Sequence, residues 1–154
     1  MLQGKVAWLT GAGSGIGRAG AQALAEAGAT AIVSGRSREG LDETVALIAE
    51  AGGRAEAVAL DVADKTAVAR IGAEIVSRHG GVDILVNSAG LNLSTRLWRD
   101  MTPDSFDHIV HINLNGALYC IHAVLPAMRA AERPRHQHFL LGRALRGISD
   151  RPRL

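Results

Sequence analysis

Four glycines fall within eight residues, Thr10-Gly11-Ala12-Gly13-Ser14-Gly15-Ile16-Gly17, at the end of the short apolar run Val6 to Thr10. From Ile16 to Ala27 the chain is rich in the helix formers Ala, Leu, Gln and Glu, and Gly28 ends the stretch. A strand, a glycine-rich turn and a helix in that order leave backbone N–H groups and the positive end of a helix dipole free to meet a phosphate. Glycine suits the turn because a Cβ would keep the backbone away from a pyrophosphate. A purely structural turn has the same pattern, so the turn alone decides nothing.

The same unit recurs along the chain. Thr30 to Ser34 reads as a second strand, and Glu39 to Ala51 as a helix with Leu41, Val45 and Ile48 on one side, closed by Gly52 and Gly53. Ala55 to Leu60 gives a third strand, Asp64 caps a helix running to about His79, and Val82 to Asn87 is apolar at nearly every position, as a strand buried in a parallel sheet requires. Thr102-Pro103-Asp104 opens a long helix with a capping hydroxyl and a proline at the first helical position. That helix is expected to reach about Ala131, with a local adjustment or kink at Pro126. Alternating strands and helices predict an α/β fold, a doubly wound parallel sheet with four strands, incomplete on its C-terminal side. Hydrophobic residues are 47% of the chain and aromatics 3%, so the core is built from Ala, Val, Leu and Ile. Residues 1–131 form this partial domain and 132–154 a separate Arg-rich tail, which has no reason to pack, although His138 to Leu141 could by chance pair as an edge strand. Ligands of such sheets bind beyond the carboxyl ends of the strands.

Charge and apolar runs exclude several classes. Residues 1–130 carry 11 basic and 13 acidic side chains, whereas 131–154 carry 6 Arg and 2 acids, so the net +2 comes from the tail. The tail has no Lys and no aromatic interleaving suited to stacking on bases, and no nucleic-acid partner is expected. Purely apolar runs fall short of the roughly 20 residues a spanning helix needs, so no membrane partner is expected. The single Cys120 and the lack of a basic start followed by an apolar stretch make a cytoplasmic location the default. His108 and His111 read as surface or packing residues with no metal-type cluster around them, and Cys120 as core. Trp98, in the loop after the fourth strand, is placed to pack near a substrate.

The glycine spacing Thr-Gly-x-x-x-Gly-x-Gly resembles that of the short-chain dehydrogenase/reductase family, and three further matches follow in order. Asp61-Val62 is similar to the family's adenine-contacting pair. Asn87-Ser88-Ala89-Gly90 is similar to its Asn-Asn-Ala-Gly motif with Ser88 in place of one Asn, and Asn113-Leu114-Asn115-Gly116 to its Asn-x-x-Gly element. The resemblance covers residues 1 to about 130 and implies an NAD(P)-dependent oxidoreductase acting on a small-molecule alcohol or carbonyl. It implies that Gly11, Ser14, Gly15, Ile16 and Gly17 hold pyrophosphate and that Arg36 holds the adenosine ribose or its phosphate. Asp61 and Val62 would take the adenine, and Asn87, Ala89 and Gly90 the central part of the cofactor. Asn113 would support the proton relay, and the helix 103–131 could form a homo-oligomer contact. At the end of the second strand, where an acid would bind the ribose 2′-OH of NAD, stands Ser34-Gly35-Arg36. Arg36 can pair with a 2′-phosphate, which favours NADP over NAD, although it also reads as a solvated loop charge.

The resemblance further implies a catalytic Ser and a Tyr-x-x-x-Lys pair, in which a phenol of lowered pKa moves the proton. The only tyrosine is Tyr119, with Ala123 four residues on, and the last lysine is Lys65, so this chain reads as catalytically dead. A nucleotide-binding pseudoenzyme and an Arg-tail interaction protein remain as alternatives. Back-translated with permitted codons and dropped by one nucleotide, His136 to Leu154 admits a reading that begins Ile-Asn-Thr-Ser-Ser and ends Gly-Pro-Ala-Tyr. That resembles the family's fifth strand, catalytic Ser turn and approach to the catalytic Tyr. A frameshift after about Ala131 is therefore expected, and the coding DNA tests it.

Overall fold

The computed structural model describes residues 1–92, 97–130 and 139–141. Five strands run in chain order, β1 (Val6–Thr10), β2 (Thr30–Gly35), β3 (Arg54–Ala59), β4 (Ile84–Asn87) and β5 (Phe139–Leu141). They form one parallel sheet in the order β3-β2-β1-β4-β5. Helices α1 (Gly15–Glu26), α2 (Arg38–Glu50) and α3 (Lys65–His79) follow the first three strands, and each begins close to where the sequence places it. The sheet order reverses at β1, which has β2 on one side and β4 on the other. Such a reversal opens a crevice at the carboxyl ends of the strands on either side of it.

Alternation along each strand sends side chains to two cores. Trp8, Ile32 and Leu85 enter one, with Val68, Ile71 and Ile75 of α3 and Cys120, Val124 and Met128 of the last helix. Ala7, Leu9, Val33 and Ile84 enter the other, with Ala21 and Ala25 of α1 and Leu41 and Ile48 of α2. β1 is buried throughout, as a central strand covered on both faces must be. Trp8 is the one fully buried ring among the described residues, and its indole N–H donates to the Ser34 hydroxyl at 2.5 Å.

Three features differ from the sequence expectation. First, the sheet has a fifth strand, where four were expected, because three tail residues pair in register with Leu85, Val86 and Asn87. Secondly, the long helix is not one α-helix. It consists of α4 (Pro103–Val110), a π-helical turn (His111–Asn115) and α5 (Gly116–Ala130), with the Gly116 N–H donating to the His111 carbonyl. The departure from α geometry thus lies around Asn113, ahead of Pro126. Thirdly, Pro103–Ala130 as a whole is long and apolar enough to cross a membrane by length and composition. One side of it carries Ile112, Ala117, Cys120, Val124 and Met128 into the core, which is what makes it apolar there.

Candidate functional site

An open cleft of about 530 Å³ lies at the carboxyl ends of β1, β2 and β4. It is lined by Gly11 and residues 13–17 of the turn, by Gly35, Arg36 and Ser37 after β2, and by Leu60, Asp61 and Val62 after β3. Residues 88–91 after β4 and Ile112 of the π-helical turn complete it. Of the residues singled out from sequence, Gly11, Ser14, Gly15, Ile16, Gly17, Arg36, Asp61, Val62, Ala89 and Gly90 are all brought together here. Asn87 and Asn113 do not line the cleft.

The glycines of the turn divide the work. Gly11 has φ +67°, and a Cβ built on it would stand 2.7 Å from the backbone N and Cα of Ala89. Its bareness lets the turn touch the segment after β4, an approach the Ala89 N–H secures by donating to Thr10 Oγ1 at 3.2 Å. Gly17 has no room either, since its Cβ would meet the Gly11 carbonyl oxygen at 2.3 Å. Only Gly15, at φ +54°, would aim a Cβ into open space, so within this set it alone keeps clearance at the cleft. Gly11 and Gly17 are thereby needed for the packing of the turn itself.

The cleft is suited to an anion. Ser14 is the N-cap of α1 in extended conformation, but its side chain makes no capping hydrogen bond, and the first turn of α1 carries no acid. α2, α3 and α4 by contrast are capped from within, by Ser37, Asp64 and Thr102. The leading N–H groups of α1 are therefore left to an outside acceptor. Arg36 is exposed at the cleft and has no carboxylate partner among the described residues, whereas Arg38 nearby is held by Asp42 at 2.9 Å. Asp61 sits across the cleft, with one carboxylate oxygen accepting from the Ala63 N–H at 3.0 Å.

Asn113 and Asn87 act from outside it. The Asn113 amide spans the Leu91 backbone, its Oδ1 accepting from Leu91 N at 2.8 Å and its Nδ2 donating to Leu91 O at 3.0 Å. The π-helical turn that carries Asn113 therefore holds the segment after β4 in place. Gly116 lets this turn sit close to the cleft, since its Cβ would meet Val62 Cγ2 at 2.7 Å. The Asn87 side chain is 4% exposed at the end of β4, and neither its Oδ1 nor its Nδ2 has a partner among the described residues. Tyr119 packs edge-on against His111, ring centres 6.4 Å apart, and does not line the cleft. Cys120 is buried, and burial pushes its thiol up to about 12. Among the described residues no cluster of His, Cys, Asp or Glu could hold a metal ion. Trp98's side chain lies outside the described residues, as does most of the tail.

Residues 5–135 match the description "short chain dehydrogenase". The chain belongs to the short-chain dehydrogenase family. Members of that family bind NAD or NADP, and several of them are close in sequence. A short-chain reductase protein, NovJ of Streptomyces niveus, is 42% identical over 127 residues, 82% of this chain and 48% of that protein. A sorbitol dehydrogenase of Cereibacter sphaeroides is 40% identical over 133 residues, 86% of this chain and 50% of that protein. The crystal structure of a metagenomic short-chain oxidoreductase in complex with NADP superposes with a TM-score of 0.82 at 36% identity, covering 90% of this chain and 61% of that one. The chain thus spans about half the length of the curated short-chain dehydrogenases it matches.

Sequence reasoning missed Gly13, Gly35, Ser37, Leu60, Ser88, Leu91 and Ile112 as lining residues. All lie within or next to a motif read from the sequence, Ile112 beside Asn113 included, and extending each motif by one position would have found them. Ile112 is brought in by the π-helical turn, for which the sequence has no local signal.

Proposed function

We propose that this chain binds a nicotinamide dinucleotide, NADP in preference to NAD, as the cofactor-binding half of an oxidoreductase acting on a small-molecule alcohol or carbonyl. The observation that carries the reading is the uncapped N-terminus of α1 opening on the same cleft as Gly15, Arg36 and Asp61. The N–H groups of residues 13–17 receive the pyrophosphate, and Gly11 shapes the turn around it. Arg36 pairs with the ribose 2′-phosphate, and Asp61 and Val62 border the adenine. Ala89 and Gly90 support the central part of the cofactor, with Asn87 behind them and Asn113 steadying Leu91. When bound, the nicotinamide would supply hydride chemistry. The proton transfer of the reaction needs a residue pair this chain does not carry, since Tyr119 is followed at the fourth position by Ala123. The chain binds the dinucleotide without turning it over. The exposed Phe106, Leu114 and Leu118 on the helix 103–130 give a second copy of the chain a surface to meet. In that role the helix is a core helix of a cytoplasmic protein and spans no membrane.

Titration with NADPH and NADH, followed by calorimetry, tests the cofactor reading. NADPH binds more tightly, and Arg36→Ala weakens NADPH by roughly 10- to 100-fold, the size of a lost charge-assisted hydrogen bond, with NADH nearly unchanged. Failure of both dinucleotides to bind refutes it. Oxidation of NADPH by a panel of ketones and aldehydes would refute the absence of turnover. Sedimentation over a concentration series checks the self-association.

A further inference from the structure

Arg18 lies one position beyond the glycine turn and does not line the cleft. Its guanidinium is largely covered, 21% exposed, and faces back toward the turn. Nη2 donates to the Gly13 carbonyl at 2.6 Å and more weakly to the Gly40 carbonyl at 3.4 Å, and pairs with Glu43 at 2.7 Å. Nε donates to the Thr44 hydroxyl at 3.1 Å. Thr44 is fully buried, and its one hydroxyl proton faces the carbonyls of Ala12 and Gly40, each 2.9 Å away. The backbones themselves are in contact, because a Cβ on Gly40 would stand 2.7 Å from the Gly13 oxygen. Two side chains therefore take hold of two successive turn carbonyls from the side away from the cleft.

Every peptide bond described is trans, and in a planar trans peptide the C=O and the following N–H point in opposite directions. Holding the Ala12 and Gly13 carbonyls outward fixes the N–H groups of Gly13 and Ser14 toward the cleft that both residues line. The same contacts tie the turn to the first half of α2, which begins just after Arg36 and Ser37. We propose that Arg18 and Thr44 are positioning residues that orient the turn's N–H donors toward a pyrophosphate and fix their distance from Arg36. This rests on the dinucleotide reading of the cleft. It assigns to an arginine that touches no ligand a share of the cofactor affinity specific to the pyrophosphate.

The test uses NADPH and 2′-AMP, which has the adenosine 2′-phosphate but no pyrophosphate. Thr44→Val keeps the shape and removes the hydroxyl, and Arg18→Met keeps the stem and removes the donors. Either variant weakens NADPH by about tenfold, the size of one hydrogen bond, and leaves 2′-AMP within about twofold. Thr44→Ser, which keeps the hydroxyl, restores NADPH binding. Equal weakening of both ligands, or unchanged NADPH binding with a lowered Tm, overturns the proposal in favour of a merely structural contact. If the unaltered protein binds neither ligand, the dinucleotide reading falls, and backbone order then judges the contact. Amide order parameters at Gly13 and Ser14 that drop from about 0.85 toward 0.6 in Thr44→Val uphold the hold on the turn, and unchanged values overturn it.

Discussion

Gly11→Ala and Gly15→Ala place the same methyl group on two backbones with almost the same positive φ, +67° and +54°. Forcing an alanine into the left-handed region costs each variant about 1–2 kcal/mol. The surroundings separate them. At Gly11 the new Cβ meets Ala89 N and Cα at 2.7 Å and Ser88 C at 2.8 Å, all backbone atoms that no rotamer change can move aside. At Gly15 nothing stands within 4 Å. Overpacking of this kind adds about 1–3 kcal/mol, and the absence of a side chain to yield puts Gly11 toward the upper end. Gly11→Ala should therefore be about 2–3 kcal/mol less stable than Gly15→Ala. With a urea m-value of about 2 kcal/mol/M, its midpoint falls about 1 M lower. Unfolding is followed by tryptophan fluorescence, for which fully buried Trp8 is the core probe. Ligand binding should run the other way, with folded Gly15→Ala losing more NADPH affinity than folded Gly11→Ala. Coincident midpoints would refute the assignment of Gly11 to the contact with Ala89, and unimpaired NADPH binding by Gly15→Ala would refute that of Gly15 to the cleft.

Asn87→Leu removes a buried amide that has no partner among the described residues, and chemical denaturation should show a gain of about 1 kcal/mol, the relief of an unsatisfied polar group. Asn113→Ala loses both hydrogen bonds to Leu91, costs about 1–2 kcal/mol, and raises amide exchange at residues 89–91. Cys120 supplies a pH dependence: its thiol ionises near 9.0 when exposed and near 12 when buried. The contribution is complete below 9, where both states hold the proton. Between 9 and 12 the unfolded chain alone has released it, so stability falls by up to about 1.4 kcal/mol per pH unit as pH rises. Cys120→Ala should flatten that part of a denaturation–pH curve measured against the parent chain, and a curve of identical slope would count against the burial argument. A thiol reagent at pH 8 should label Cys120 only in denaturant.

Strands β1 to β4 and helices α1 to α3 were legible because hydrophobic burial imposes its own period on the sequence. Val82 to Asn87 is apolar at nearly every position because β4 is covered on both faces, and Leu41 and Ile48 are spaced for one side of α2. The cleft was legible because glycine has few other reasons to recur at that spacing. The π-helical turn was not, since no residue in His111–Asn115 breaks an α-helix, whereas Pro126 suggested a distortion elsewhere. Arg18 was hidden for a different reason. A cation on a helix of mixed composition reads as a solvated charge, and only its hydrogen bonds to Gly13, Gly40 and Thr44 show that it faces inward. β5 was legible only as a chance edge pairing within His138 to Leu141, because pairing along an open strand edge depends on backbone donors and acceptors rather than on side-chain pattern.

The π-helical turn also takes up a residue without disturbing the angular phase of the helix on either side of it. Each residue of an α-helix advances the chain by about 100°, and a π turn accommodates one residue beyond the α count. Deleting a single residue between His111 and Asn115 would let the segment close into regular α geometry, almost equally long, with α4 and α5 keeping nearly the same phase about the axis. Phe106 would keep its direction while Cys120 and Val124 stayed seated, and the loss would fall on the bulged backbone that carries Asn113 to Leu91. The extra residue thus serves a local end, the reach of Asn113 to Leu91, while α5 keeps its face in the core.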